Sequence, residues 1–311
     1  MLIGIRDNNV SCTLEELKNK NQISDKLPQI VIDKVVNGIR KWTGKPHVTD
    51  ICIDTREAYL KYKYDYYENL NSIIRTTFGI LRHSSVLKGD LSEIKVDNKW
   101  LTGSVDNIDI RPNGDINVCD FKFYSSYSVA KHFGITITKT DVIDTFGNTV
   151  KAKNGKPKKE AVTTYVPRSN MYITLQLNIY RSLLEAAILE NKDLATAIEK
   201  AGGHLQDNIK AGKIFDNLAA FLFVTDGGTW MAKSRGIYKL SYYDTDIELI
   251  PKIDSIIERK STVLSDALEH EKLPPMCKDV YCMGESRYKC EAFCPVRDIC
   301  KSMGGSTEKL F

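Results

Sequence analysis

A hairpin written into the middle of the chain narrows the folds open to it. The runs WLTGSVDNIDI (100–110) and INVCDFKF (116–123) hold β-branched and aromatic residues in partial alternation, and only RPNGD separates them. Asn113-Gly114 is a strong turn signal, because both residues tolerate the left-handed backbone that tight hairpins need. EIKV, just upstream, supplies a third strand. Further on, NMYITLQLNIYRSLLEAAIL changes to helical period, with Tyr172, Leu175, Ile179, Leu183 and Ala187 three or four residues apart. AAFLFVTDGG and GIYKLSYY then read as a strand pair around a glycine-rich loop, and IELIPKIDSIIERKSTVLSDAL as another amphipathic helix. Strands flanked by helices in this order predict an α/β fold built on a mixed sheet.

The flanks divide by composition. Residues 1–45 are polar and helix-leaning and read as an N-terminal extension, residues 46–272 as the core, and residues 273–311 as a cysteine-rich module. Thr55 to Leu87 suits helices, and the aromatics of EAYLKYKYDYYENL read as packing before base stacking. From 124 to 168 the chain leaves regular patterning in a polar excursion, an insertion whose run VKAKNGKPKKE carries five lysines. That basic tip is either a solvated loop or a contact for DNA phosphates.

With 311 residues the chain can bury a full core. Its 44 basic and 40 acidic residues leave a formal charge of +4, which permits nucleic-acid binding without arguing for it. No apolar run approaches the roughly 20 residues of a membrane helix. MLIGIRDNNVSC lacks a charged segment followed by a long apolar one. The expectation is a cytoplasmic protein with no membrane partner, in the host cytoplasm if phage-encoded. No Gly-x-x-x-x-Gly-Lys-Ser/Thr loop occurs, so no NTPase motor is expected.

Asp106 falls late in one strand of the hairpin, and Asp120 and Lys122 in the other, where period two puts the latter pair on one face. If Asp106 faces the same way, two carboxylates converge beside an ammonium. Hard divalent cations, Mg²⁺ or Mn²⁺, suit such oxygen donors, and phosphodiester hydrolysis is the chemistry they support. Asp109, three residues from Asp106, faces away. Taken alone, Asp-x-Lys in a strand reads first as a solvated ion pair, which contributes little. The order along the chain argues otherwise: Gly79-x-x-x-His83, then Asp106, then Asp120-x-Lys122, then Gln176-x-x-x-Tyr180.

In that series the chain resembles the RecB-like branch of the PD-(D/E)XK nuclease superfamily, over roughly residues 50–300. Gly103-Ser104-Val105-Asp106 matches its Gly-x-x-Asp segment, and Asp120-Phe121-Lys122 its acidic-x-Lys, with Asp where many relatives carry Glu. The resemblance implies a restriction-endonuclease-like core. It also implies a cation held by His83, Asp106, Asp120 and the Phe121 carbonyl, a catalytic Lys122, and a helical motif of Gln176 and Tyr180. It implies DNA as partner and exonucleolytic processing of ends or single strands. The chain would act alone or beside a helicase, recombination, repair or CRISPR-type protein. A rival from another class is a nucleic-acid-binding or assembly subunit that keeps the fold without cutting.

Five of the eight cysteines crowd between 277 and 300, a clustering that points to metal binding in a cytosolic chain. Four thiolates can hold Zn²⁺ or seat an iron-sulfur cluster. The Cys294-Pro-x-x-x-x-Cys300 ending resembles the cluster motif of RecB-like nucleases, which implies an iron-sulfur cluster of the [4Fe-4S] type, with Zn²⁺ as the alternative. Cys290, Cys294 and Cys300 lead as ligands, then Cys282, with Cys52 and Cys277 as rivals for the fourth place.

Overall fold

The computed structural model describes residues 1–7, 10–19, 23, 27–37, 42–152, 154–165, 171–275 and 294–303. They form a mixed α/β protein whose sheets are flanked by helices. Among the described residues no helix is long and apolar enough to cross a membrane.

The first strands are β1 (Leu2–Asp7) and β2 (Val10–Thr13), followed by the helices α1 (Leu14–Lys18), α2 (Gln29–Asn37), α3 (Val48–Cys52) and α4 (Thr55–Lys63). Then come β3 (Tyr66–Asn69) and α5 (Leu70–Val86). β1 pairs antiparallel with β2 and parallel with β3, giving a three-stranded sheet. Ile5, Cys12, Leu17, Val31, Ile32, Val35 and Leu70 close a separate small core against it. The expected polar extension is therefore a folded layer, and β3 and α5, from the expected core, complete it. Its strands were illegible because β1 finds its second partner some sixty residues downstream, at Tyr66–Asn69.

The central sheet has five strands in the order β10-β9-β6-β5-β4. β4 (Ser92–Asp97), β5 (Thr102–Ile110) and β6 (Ile116–Tyr124) form an antiparallel meander. The turn between β5 and β6 closes through Arg111 N–H to the Asp115 carbonyl at 2.9 Å, with Gly114 at φ 86°. A Cβ at Gly114 would stand 2.4 Å from the His204 ring, so backbone conformation and packing both demand glycine.

After β6 the chain forms α6 (Ser126–His132), β7 (Ile135–Asp141) and β8 (Lys159–Tyr165). The excursion expected to lack regular structure is thus a helix and an antiparallel ribbon, paired from Ile135↔Tyr165 to Asp141↔Lys159. Its strands alternate β-branched residues, but most of them are exposed, so no apolar face marks them. The lysine run lies at the far end of this ribbon.

α7 (Met171–Glu190), α8 (Lys192–Lys200) and α9 (Leu205–Lys210) lead to β9 (Asn217–Val224), α10 (Trp230–Lys233), β10 (Ser241–Asp244) and α11 (Ile253–Glu269). β9 runs parallel to β6, which is possible because the long crossover through α7 returns the chain to the same end of the sheet. Ile173, Leu177, Leu184 and Ile188 of α7 join Ile108, Val118, Leu218, Ala220 and Leu222 of the sheet in the main core. From Gln176 to Tyr180 every residue of α7 is buried, because α3 and α11 pack against the helix as well.

The last described helix, α12 (Arg297–Ser302), docks Val296, Ile299 and Met303 against Tyr59 and Leu60 of α4 and Leu264 and Ala267 of α11. Cys294 and Cys300 belong to this apolar cluster and are part-exposed. Cys277, Cys282 and Cys290 lie outside the described residues.

Candidate active site

The site forms where β5 parts from β6. Their ladder runs from Ile110↔Ile116 to Asn107↔Cys119 and stops, while β6 stays paired with β9 as far as Tyr124↔Val224. The burial alternation of β5 slips by one residue at this point, from Gly103 and Val105 to Ile108. Asp106 sits in the slip. The backbone N–H of Phe121, which has no partner on β5, donates to Asp106 Oδ2 at 2.8 Å.

α5 brings in His83 from its last turn, with Nδ1 3.6 Å from Asp106 Oδ2. The ring also hydrogen-bonds to the Phe121 backbone. Burial first, and then the charge of Lys122, hold His83 below the ordinary histidine range, so it is neutral at pH 7 and free to act as a ligand. Gly79, one turn earlier, has open space where a Cβ would stand, and nothing in the protein's own packing explains a glycine there.

Asp120 is 1% exposed and faces Lys122, whose Nζ lies 2.9 Å from Oδ1 and 2.7 Å from Oδ2. The Oδ1 contact has hydrogen-bond geometry, and the Oδ2 contact is an ion pair without it. Burial alone would discharge Lys122, but Asp120, Tyr124, Tyr172 and Asp106 together outweigh it and drive the ammonium's pKa above its usual range. Burial and then repulsion from Asp120 push the Asp106 carboxyl up to about 7. The two acids thus carry more negative charge than the site stabilises at neutral pH.

α7 supplies the other side. Lys122 Nζ donates to Gln176 Oε1 at 3.2 Å, and Gln176 Nε2 donates to the Tyr180 hydroxyl at 3.4 Å. Residues four apart share a helix face, so the amide and the phenol reach inward together. Burial raises the Tyr180 pKa and keeps the phenol neutral. Gly103 lets β5 pass beneath: a Cβ there would stand 2.7 Å from the Val48 side chain and 3.0 Å from the Tyr180 ring.

The structure therefore gathers His83, Asp106, Asp120, Phe121, Lys122, Gln176 and Tyr180 into one constellation. Asp109 lies apart, accepting from Tyr243 Oη at 2.7 Å. Two residues absent from the sequence reading of the site are Tyr124 and Tyr172, whose phenols act electrostatically on Lys122. Tyr172 was signalled by spacing, since Tyr172, Gln176 and Tyr180 recur every four residues. Cys52, the rival thiol, is buried at the end of α3, and burial pushes its pKa up to about 12.

Among the described residues no three His, Cys, Asp or Glu side chains already stand in cation-holding geometry. His83, Asp106 and Asp120 are instead tied to one another and to Phe121 and Lys122. The repulsion between the buried Asp120 and the Asp106 carboxyl is what a divalent cation would relieve, so the donor set fits one.

No protein-family model matches the chain, and no curated protein matches it. Among solved structures it is similar to one named "Crystal structure of SSO0001", at 13% identity and a TM-score of 0.38, covering 91% of this chain and 97% of that one. A likeness that slight carries no argument.

Proposed function

We propose that the chain is a divalent-cation-dependent DNA nuclease of the RecB-like PD-(D/E)XK type, with a restriction-endonuclease-like core. The observation that carries this is the pair Asp106 and Asp120, brought together where β5 leaves β6, with the buried Asp120 paired to Lys122 and raising the pKa of Asp106. A surface ion pair, the bland alternative, does not bury both partners: Asp120 is 1% and Lys122 17% exposed.

His83, Asp106, Asp120 and the Phe121 carbonyl would hold Mg²⁺ or Mn²⁺. Such a cation polarises the phosphodiester and lowers the pKa of a water ligand. Lys122 offsets the charge that develops on the phosphoryl oxygens and orients the attacking water. Gln176 fixes the Lys122 ammonium, and Tyr180 fixes Gln176. DNA ends or single strands are the substrate, with work done alone or beside a helicase or repair-type partner.

Cys282, Cys290, Cys294 and Cys300 would hold a structural iron-sulfur cluster or, alternatively, Zn²⁺. In support, Cys294 precedes and Cys300 lies within a helix already anchored on α4 and α11. Anaerobic purification followed by iron, sulfide and zinc analysis separates the two. Iron with sulfide supports the cluster, and one equivalent of zinc supports the closed tetrahedral site.

The test of cutting is incubation of linear duplex and single-stranded DNA with Mg²⁺ or Mn²⁺, using the wild type, Asp120→Ala and Lys122→Ala. Cation-dependent cleavage by the wild type alone supports the proposal. Equal behaviour of all three proteins overturns it, and DNA binding without cleavage would favour the non-cutting subunit.

A further inference from the structure

The face of the central sheet turned away from α7 is aromatic. Phe121 and Phe123 of β6 stand in register with Phe221 and Phe223 of β9, and Tyr243 of β10 extends the row. All five are part-exposed, while their strand neighbours Asp120, Ala220, Leu222, Val224 and Asp244 are buried and Lys122 is part-exposed. Phe123 and Phe223 lie parallel, 4.6 Å apart with 6° between planes, and Phe121 and Phe221 stack at 5.6 Å. Stacking across strands at that spacing turns ring edges, with the outer faces of the end rings, toward solvent.

Arginines end both rows. The Arg82 guanidinium sits 5.4 Å from the Phe123 centroid, and that of Arg111 sits 4.7 Å from the Tyr243 centroid. Both arginines are exposed. The platform borders the candidate active site through His83, whose ring lies 5.5 Å from that of Phe123 and whose Nδ1 lies 3.6 Å from Asp106 Oδ2, while Asp120 and Lys122 face the other side of the sheet.

We infer that this sheet face binds single-stranded DNA by stacking its bases on the aromatic rows, delivering the backbone to the Asp106 and Asp120 pair. The inference rests on the nuclease proposal for what happens at that pair, and it names the substrate form. Bases accept ring edges and guanidinium planes against their π-faces, and Arg82 suits the phosphates between them, as does Arg111 on exchanging its 3.4 Å contact with Asp109. A duplex hides its base faces and gains nothing from such a surface. An apolar protein segment would use the rings but not the guanidinium at each end or the continuity with the carboxylates.

The experiment is fluorescence anisotropy with a labelled single-stranded oligonucleotide, an abasic oligonucleotide of the same length and a duplex, in EDTA so that nothing is cut. Phe221→Leu and Phe223→Leu keep the apolar volume and remove the ring, and thermal melts confirm that both fold. The wild type should bind the ordinary single strand roughly tenfold more tightly than the abasic one. Each variant should lose about tenfold on the ordinary strand and little on the abasic strand or the duplex.

Equal affinity of the wild type for ordinary and abasic strands overturns the inference. So does a variant that binds single strands unchanged, or one whose only effect is to dissolve self-association on gel filtration. Asp120→Ala keeps the two proposals apart. If it still prefers bases while the wild type fails to cut, only the nuclease proposal falls; cutting without base preference sinks only this one.

Discussion

Phe121 donates its backbone N–H to the Asp106 carboxylate at 2.8 Å, at the point where β5 leaves β6. That bond replaces a rung of the sheet. It draws a carboxylate into the gap between two strands, beside a second carboxylate that the fold has buried, and the consequences of this crowding are measurable.

The first concerns stability against pH. Asp106 titrates near 7 in the folded protein against 3.8 in an ordinary setting, because burial and Asp120 disfavour its charge. The folded state keeps a proton that the unfolded chain has released, so this stabilising contribution, full below about 4, is lost as pH rises toward 7. Asp106→Asn removes the loss. In cation-free buffer it should melt several degrees above the wild type at pH 8, with the difference shrinking toward pH 5, as differential scanning calorimetry can read. A difference that grows toward acid would contradict the coupling.

Lys122 is the counter-ion of a carboxylate with almost no access to water. Lys122→Met should therefore destabilise the cation-free protein by about 3 kcal/mol, the order expected when one partner of a buried pair is lost. Adding Asp120→Asn to it should recover most of that. Urea melts of both single variants and the double variant provide the coupling, and additive losses would mean that the pair is not the unit described.

Gln176 touches Lys122 and Tyr180 and so acts through positioning. Gln176→Leu should lower kcat on the order of a hundredfold while leaving KM for DNA nearly unchanged. A raised KM at constant kcat would place Gln176 in substrate binding instead.

Two glycines should respond oppositely. Gly103→Ala forces a Cβ against Val48 and Tyr180 and should cost about 1–3 kcal/mol, partly relieved by Val48→Ala. Gly79→Ala meets open space in mid-helix and should stabilise by about 0.5–1 kcal/mol. Thermal melts of the wild type, the two glycine variants and the Gly103→Ala/Val48→Ala double variant decide both.

The hairpin, α7 and α11 were legible in the sequence because each is marked by local periodicity or turn chemistry. β1 was not, since its parallel partner β3 lies far along the chain, and the β7–β8 ribbon was not, since it buries no continuous face. At the site, chain order brought His83, Asp106, Asp120, Lys122, Gln176 and Tyr180 together on paper, and the structure places them in contact. What period two could not supply is the slip of β5 at Asp106. That slip arises because β6 keeps its ladder with β9 while β5 turns away, a competition between strands that no local pattern records.

The proposed nuclease requires Asp106 and Asp120 to form one cation site. Calorimetric titration of the protein with Mn²⁺ at pH 8 tests this most directly. One Mn²⁺ per chain bound by the wild type, and lost in both Asp106→Asn and Asp120→Asn, is the predicted result. No Mn²⁺ bound by the wild type, or undiminished binding in both variants, would contradict it.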